Sequence, residues 1–193
     1  MFDLLFENIS EHVQLTGEQQ DFCRTVFVPK KLRKRQFLLQ EGDVCRYTAF
    51  VEKGMLRTYT IDDKGNEPIL QLAMEGWWVA DLYSFLTNEP SPYNIEAIES
   101  CELLLVDKRS WDMLLDHVPP LERYFRILIQ NNLIATQRRL MGAMVQSAEE
   151  KYLKLIDNFP GCLQRIPQHM IASYLGITPE TLSRIRGQLA SRK

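Results

Sequence analysis

The apolar residues of the chain change their spacing once, near Asp107. Before that point, short runs alternate apolar and polar side chains, as half-buried strands do, and turn signals separate the runs. After it, apolar residues recur every three or four positions, which is typical of helices. We therefore expect an α+β chain that begins with strands and ends with helices. The expected strands cover residues 37–40, 47–52, 55–61, 68–74, 93–98 and 103–106.

The crowding of these strands predicts the architecture of the first domain. Many short strands at close spacing favour an antiparallel barrel or a jelly-roll-like β-roll of two sheets, because both leave few strand edges exposed. We expect this N-terminal antiparallel β-roll to span residues 1–118.

Nine apolar side chains recur at helical spacing between Leu121 and Met144, which predicts a helix of about six turns. They are too many for one stripe, so we expect one face to pack on the roll and another on a partner. Asn131 and Asn132 lie in its middle, where a buried amide could fix the register of a helix pair. Two solvated asparagines explain them equally well. We expect a dimerisation helix over residues 119–146.

A helix start separates the last domain from this long helix. Ser147 and Glu150 form the Ser-x-x-Glu pattern of a capping box, and Phe159-Pro160-Gly161 is expected to end the helix that follows. We expect a third domain over residues 147–193. It carries seven lysines and arginines against four acids, net +3, whereas residues 1–146 carry 16 against 21, net -5. This asymmetry suits a C-terminal domain that meets a polyanion, and it also suits a solvated surface.

The residues from Gln168 onward predict a helix-turn-helix. Ala172 is small where two helices must cross closely, and Gly176 supplies the sharp turn. Thr178 is a good N-cap, and Pro179 follows it at the first helical position. The outward side chains of the second helix have the spacing of a DNA-reading helix, which favours DNA binding over a plain helical cap. These outward residues are Pro179, Glu180, Ser183, Arg184 and Gly187.

The order of these parts resembles the Crp/Fnr family of bacterial transcription regulators, and the resemblance covers nearly the whole chain. Residues 37–43, Phe-Leu-Leu-Gln-Glu-Gly-Asp, resemble the family's early strand and glycine turn, and residues 50–57 resemble its next hairpin. The resemblance implies a cyclic-nucleotide-binding-type β-roll, a long dimerisation helix and a C-terminal helix-turn-helix. It also implies a homodimer that reads a two-fold operator in double-stranded DNA.

The resemblance also implies particular DNA-contacting residues. Residues 178–185 are similar to the family's recognition helix, in which a glutamate and an arginine four residues later contact bases and phosphates; Glu180 and Arg184 match them. Pro179 stands where the family has a further base-reading arginine. Six residues follow Gly187, so we expect no long C-terminal wing. The expected DNA-contacting residues are Gln168, Thr178, Glu180, Thr181, Ser183, Arg184 and Arg186.

The expected effector pocket departs from the family pattern. Asp81 lies in the segment that aligns with the Gly-Glu-Leu of cyclic-nucleotide binders, and Ser91 lies near the position of the arginine that takes the cyclic phosphate. No lysine or arginine occurs between Lys64 and Lys108, so a charge-assisted partner for a phosphate is missing. Nearby aromatic residues could line a pocket for another small molecule or belong to the core. We expect a degenerate pocket that does not bind cyclic AMP. The candidate pocket residues are Trp77, Trp78, Asp81, Leu82, Ser91, Tyr93 and Asn94.

Several other classes of protein find no support in the sequence. The four cysteines lack Cys-x-x-Cys spacing and the three histidines lie far apart, so we expect buried thiols, no metal site and no cofactor. The longest stretch without a charge is too short for a membrane helix. Met1-Phe2-Asp3 lacks the basic lead and apolar stretch of a signal peptide. We therefore expect a cytoplasmic protein.

These features leave three functions to compare. The leading hypothesis is a homodimeric DNA-binding regulator whose roll senses a small-molecule effector or serves as a scaffold, with RNA polymerase as a further candidate partner. The alternative is an effector-sensing interaction module that does not bind DNA. A cupin-like enzyme is disfavoured, because such enzymes gather metal ligands inside the roll and no histidine lies between Phe37 and Asp107. The basic run at residues 30–35 could touch DNA beside the operator or form a solvated face.

Overall fold

Eight strands lie between Val28 and Asp107 in the computed structural model, which describes residues 2–159 and 161–191. The strands are β1 (Val28–Leu32), β2 (Phe37–Leu39), β3 (Tyr47–Lys53), β4 (Leu56–Tyr59), β5 (Ile69–Ala73), β6 (Trp78–Val79), β7 (Asn94–Ala97) and β8 (Cys101–Asp107). They form two four-stranded sheets, with the orders β1-β8-β3-β6 and β2-β7-β4-β5. One cluster of buried side chains draws on both sheets. The double-sheet roll predicted from the sequence is therefore confirmed.

Helices flank and follow the strands. The described helices are α1 (Asp3–Ser10), α2 (Gly17–Val26), α3 (Leu82–Thr87), α4 (Lys108–His117), α5 (Pro120–Val145), α6 (Ala148–Asn158), a short 3₁₀ turn (Cys162–Gln164), α7 (Gln168–Leu175) and α8 (Pro179–Ser191). Within the described residues, none of them is long and apolar enough to cross a membrane. The α+β class is confirmed.

The chain groups into two compact units. The first contains residues 1–60 and 71–130, and the second contains residues 61–70 and 131–193. The long helix α5 contributes to both, and the segment between β4 and β5 groups with the C-terminal helices. The domain limits expected at residues 118 and 146 stay a prediction.

The interior of the roll is set by the pairing of β4 with β7. The register places Leu56 opposite Ala97 and Thr58 opposite Ile95. Because side chains alternate between the two faces of a strand, these four share one face. The three apolar ones belong to the core between the sheets, so the Thr58 side chain also faces that core.

In the sheet β1-β8-β3-β6, the face turned away from the core between the sheets packs against helices. Phe50 of β3 joins a second cluster that includes Tyr124 and Phe125 of α5. Trp78 of β6 also packs there, and its indole N–H donates to the Tyr124 hydroxyl over 3.0 Å, which in turn donates to the side-chain oxygen of Asn8 over 2.5 Å. These contacts explain why the first turns of α5 are buried, as the excess of apolar residues predicted.

Strand β1 and helices α1 and α2 were not among the expected elements. In β1, Pro29 and two lysines hide the alternation of apolar and polar residues. Proline is tolerated on an edge strand, and β1 is at the edge of its sheet, where Lys31 forms an ion pair of 3.1 Å with Glu102 of β8. Lys30 and Lys31 of the basic run therefore belong to a strand.

Two features of the helical half agree with the sequence. The helix expected over residues 121–144 is present as α5, of 26 residues. The capping box at α6 has both of its bonds: the Ser147 N–H donates to the Glu150 carboxylate over 2.8 Å, and the Glu150 N–H donates to the Ser147 hydroxyl over 3.2 Å. Pro160, expected to help end α6, lies outside the described residues.

The cysteines behave as buried thiols where the structure describes them. Cys23, Cys45 and Cys101 are buried. Burial raises the pKa of the Cys23 thiol to about 11, so it stays protonated and unreactive at neutral pH. The side chain of Cys162 lies outside the described part of the chain.

Candidate functional site

The helix-turn-helix is built as its sequence predicted. Helix α7 ends at Gly176, whose φ of +66° is in the left-handed region that glycine adopts freely. The N–H of Ile177 donates to the carbonyl of Ala172 over 3.0 Å, which closes the turn. Ala172 is 1% exposed. The small side chain at the crossing lets α7 and α8 pack closely.

Threonine hydroxyls start the second helix. The hydroxyl of Thr178 accepts the N–H of Thr181 over 3.2 Å, and it also donates to the Thr181 hydroxyl over 3.2 Å. Both residues were expected to contact DNA. The structure shows their hydroxyls engaged with each other and with the backbone, so their contribution in the free chain is to fix the start of α8.

The two sides of α8 differ in burial. Leu182 and Ile185 are buried against the other helices of the second unit, whereas Glu180, Ser183 and Arg184 are exposed. Within the described residues, Arg184 has no ion-pair partner. Its guanidinium is therefore free to donate two hydrogen bonds to a guanine or to a phosphate, and exposed serine and glutamate can also contact base edges.

Glu180 lies at the N-terminus of α8. Its own backbone N–H and the Thr178 hydroxyl lower the pKa of its carboxyl. The side chain is therefore an ionised acceptor at neutral pH, the form that accepts a hydrogen bond from the amino group of cytosine.

Gln168 and Arg186 complete the expected DNA contacts. Gln168 is exposed at the first turn of α7, and Arg186 is exposed at the edge of the outward face of α8, three positions after Ser183. His169, which sequence reasoning did not single out, is exposed beside Gln168. Its only signal was its position at the start of the first helix.

From Ile129 onward, α5 carries a stripe of exposed apolar side chains. These are among the largest exposed apolar groups of the described chain, with Met144 74% exposed. Asn131 and Asn132 are also exposed there. Such a stripe is suited to pairing with another apolar helix. We call it the α5 stripe, and its members are Ile129, Leu133, Ile134, Leu140, Met141, Met144 and Val145.

Asp81 occupies the start of the short helix α3 in the roll. One oxygen of its carboxylate accepts the N–H groups of Tyr83 and Ser84, at 3.1 and 3.3 Å. The other oxygen accepts the hydroxyl of Ser91 at 2.7 Å. Asp81 is 6% exposed and Ser91 2% exposed. The carboxylate therefore links the start of α3 to the segment before β7.

The other expected pocket residues do not converge on this pair. Trp78 lies in the aromatic cluster with α5, Trp77 packs against the core of the roll, and Leu82 is 49% exposed. Tyr93 donates only its backbone N–H to Ser91, over 3.1 Å. Asn94 pairs with Glu41 through the Glu41 N–H over 3.1 Å.

A cyclic phosphate does not fit this arrangement. The amides that could receive it already bond to Asp81, and among the described residues neither Asp81 nor Ser91 has a lysine or arginine partner. A phosphate brought here would meet a buried carboxylate and lose hydration that no side chain replaces. The geometry argues against binding of a cyclic nucleotide.

Among the described residues of the roll, one buried side-chain polar atom lacks a hydrogen-bond partner. The hydroxyl oxygen of Thr58 is buried without a hydrogen bond in the part of the chain that the structure describes. Buried hydroxyls are usually paired, because an unpaired one loses its hydration without compensation. Sequence reasoning did not select Thr58, since a threonine in an apolar strand carries no distinct signal.

Comparison with known proteins agrees with this architecture. Residues 29–117 match the family model of the cyclic nucleotide-binding domain. The regulatory protein HlyX of Actinobacillus pleuropneumoniae is 27% identical over 172 residues, which cover 82% of this chain and 70% of that protein. The fumarate and nitrate reduction regulatory protein of Vibrio cholerae is 25% identical and covers 82% of this chain and 67% of its own length.

A solved structure with the same fold is that of FixK2 from Bradyrhizobium japonicum. It superposes with a TM-score of 0.74 at 20% identity and covers 86% of each chain. Both of the relatives matched by sequence are named as regulatory proteins, and a third, from Pseudomonas aeruginosa, is named as a transcriptional activator protein. The match to the cyclic nucleotide-binding domain, the long helix α5 and the helix-turn-helix make the chain similar to transcription regulators of Crp/Fnr type.

Proposed function

We propose that the chain is a DNA-binding transcription regulator of Crp/Fnr type that acts as a homodimer. The observation that carries the proposal is the exposed outer face of α8, where Glu180, Ser183 and Arg184 project from a helix whose opposite side is buried. A helix held in this way by α7 is the geometry with which a helix-turn-helix enters the major groove. The acidic body and basic C-terminal part of the chain support the same orientation toward a polyanion.

The α5 stripe supports dimer formation. Exposed apolar side chains on one helix lose their contact with water when two copies pair, which contributes roughly 25 cal/mol for each Å² buried. A two-fold dimer brings two helix-turn-helix units to half-sites about 34 Å apart, one turn of DNA. One unit alone makes too few contacts for a specific site.

The roll acts in this proposal without a cyclic nucleotide. The carboxylate of Asp81 and the hydroxyl of Ser91 are bonded to each other where a phosphate would enter. An effector of this chain would therefore not place an anionic group there. Without such an effector, the roll is a scaffold for the dimer helix.

The proposed function also implies a cellular location and a further partner. A regulator meets DNA in the cytoplasm of bacteria such as those that carry the relatives, and a dimer that activates transcription would also contact RNA polymerase. The regulator homologues and the absence of histidine between Phe37 and Asp107 argue against catalysis.

A mobility-shift experiment tests the function directly. The purified protein is mixed with the DNA upstream of its own gene and with operators selected by it from a random pool. We expect a shifted band whose affinity falls with salt, because phosphate contacts release counterions. Failure to shift any DNA, with a folded dimer present, would favour the interaction module instead.

A further inference from the structure

Ser173 of α7 bonds to a segment that is distant in sequence. Its hydroxyl donates to the carbonyl of Glu67 over 2.7 Å and accepts the N–H of Ile69 over 3.0 Å. These two backbone groups flank Pro68, which has no N–H to donate. One helix side chain thus supplies a donor and an acceptor to the backbone at the start of β5.

Arg139 of α5 holds the same segment and the same helix. Its guanidinium donates to the carbonyl of Leu70 and lies 5.2 Å from the ring centre of Tyr174, the residue after Ser173. All of these residues belong to the second unit. We call this ring of contacts the α7 clamp, and its members are Glu67, Ile69, Leu70, Arg139, Ser173 and Tyr174.

The segment held by the clamp is internally ordered. The carboxylate of Asp62 accepts the N–H groups of Lys64 and Asn66, over 2.9 and 2.8 Å, and the Asn66 side-chain amide over 2.9 Å. Gly65 has a φ of +78°, as this turn requires. An ordered turn loses less conformational entropy on docking than a loose loop does.

The clamp holds α7 and leaves the DNA-facing residues exposed. Gln168 on α7 and the outer face of α8 make none of its contacts. Since α8 is fixed to α7 through the turn at Gly176 and the crossing at Ala172, whatever orients α7 also orients α8. The clamp therefore connects α8 to the part of α5 in the second unit, which bears the α5 stripe from Leu133 to Val145.

We propose that Ser173 and Arg139 are positioning residues for operator recognition, which hold α8 at a fixed orientation to the dimer helix and so set the spacing of the half-sites. The proposal rests on the proposed function, since it concerns a dimer that binds two half-sites. In a two-fold complex, each recognition helix must meet its half-site about one DNA turn from the other. A rigid link makes the dimer intolerant of altered spacing, and a loose link makes it tolerant.

The test compares operators of different spacing. An operator selected by the wild-type protein from a random DNA pool is remade with one or two extra base pairs between its half-sites. Each hydrogen bond of the clamp favours docking by roughly threefold to tenfold, and Ser173→Ala removes two. We expect the discrimination between native and lengthened operators to fall about tenfold in Ser173→Ala, with affinity for an isolated half-site unchanged.

Matched variants separate positioning from simple stability. Ser173→Thr keeps the hydroxyl and should discriminate as the wild type does. Arg139→Lys keeps the charge but loses the planar group that stacks on Tyr174, so it should relax the spacing preference. Unchanged spacing discrimination in both Ser173→Ala and Arg139→Lys overturns the proposal.

Amide exchange distinguishes failure of the clamp from failure of the function. The Ile69 N–H should exchange faster in Ser173→Ala than in the wild type or in Ser173→Thr, with or without DNA. Equal exchange in all three proteins means that the clamp is not formed and overturns the proposal. A protected Ile69 amide in a protein that binds no DNA at all refutes the proposed function, and the positioning role with it.

Discussion

The starts of α3 and α8 are two helix N-termini with opposite surroundings. At α3, the carboxylate of Asp81 caps the helix from a buried position and bonds to Ser91 as well. At α8, the hydroxyl of Thr178 caps the helix, and Glu180 and Arg184 beside it are exposed. In both helices a side chain at the N-cap accepts a backbone N–H, but only at α3 is the capping side chain buried.

The difference predicts that the start of α3 does not accept an anion, whereas the start of α8 is open to a partner. An anion entering at α3 would have to displace a carboxylate that already makes three hydrogen bonds, and the displaced charge would remain nearby. DNA approaching α8 would replace water alone. A site binds a partner when its polar groups have no equally good partner within the chain.

The largest expected effect comes from disrupting the proposed dimer at the α5 stripe. Leu133→Glu with Leu140→Glu places charges in the α5 stripe and should give monomers, since two carboxylates from each chain would be buried at the interface. Operator affinity should fall by about 100-fold or more, because the second half-site is no longer tethered to the first. Sedimentation velocity and fluorescence anisotropy measure the two effects. Ala135→Glu adds the same charge at an exposed position outside the stripe, and it should remain a dimer.

The next effect tests whether the open end of α8 reads sequence. Arg184→Ala should lose roughly 1–3 kcal/mol of operator binding and relax the preference at one base pair. Arg186→Ala should lose less, and equally on all sequences, if it contacts only phosphate. Binding titrations on operators with single base changes measure both. Equal, sequence-independent losses for the two variants would remove the base-reading role of Arg184.

A smaller effect, on stability, tests the buried cap of α3 at Asp81. Asp81→Ala removes a helix cap and leaves the buried Ser91 hydroxyl without its acceptor, so it should lower the free energy of unfolding by about 1–2 kcal/mol. Asp81→Asn can still accept at the cap and should lose less. Urea denaturation measures the difference. Unchanged stability in Asp81→Ala would mean that the bonds of Asp81 to α3 and to Ser91 do not stabilise the roll.

The unpaired hydroxyl of Thr58 predicts a small gain in stability when it is removed, in contrast to the loss expected at Asp81. Thr58→Val replaces the buried hydroxyl by a methyl group of similar size, so stability should rise by about 1 kcal/mol or less. Thr58→Ser keeps the hydroxyl and loses the methyl group, so it should destabilise the roll. Thermal unfolding of the three proteins tests this order, and a destabilised Thr58→Val would mean that the hydroxyl has a partner.

Cyclic nucleotides should have no effect on the wild-type protein. A ligand present at 100 times its dissociation constant stabilises a folded protein by about 2.7 kcal/mol, which raises the unfolding temperature by several degrees. We expect no such rise with cyclic AMP or cyclic GMP, because Asp81 already occupies the amides of α3. A clear rise of the unfolding temperature would show that a cyclic nucleotide can displace Asp81 from the amides of α3, and it would remove the contrast with α8.

Local signals accounted for most of what was predicted correctly. The capping box of Ser147 and Glu150, the cap of Thr178 and the left-handed turn at Gly176 each involve residues within four positions of one another. Such bonds form wherever the backbone turns into a helix, so a sequence pattern is enough to predict them. The change of apolar period near Asp107 likewise predicted the roll and the helices after it.

The amino-acid sequence alone determined that a strand-rich region precedes a helical one, the helix-turn-helix and the absence of a basic residue between Lys64 and Lys108. Only the tertiary structure decided which distant groups meet. The hydroxyl of Ser91 reaches Asp81 ten residues away, and Ser173 reaches Ile69 across 104 residues. Contacts within one helical turn are set by covalent geometry, whereas contacts between distant segments depend on how whole elements pack, and no local pattern encodes that packing.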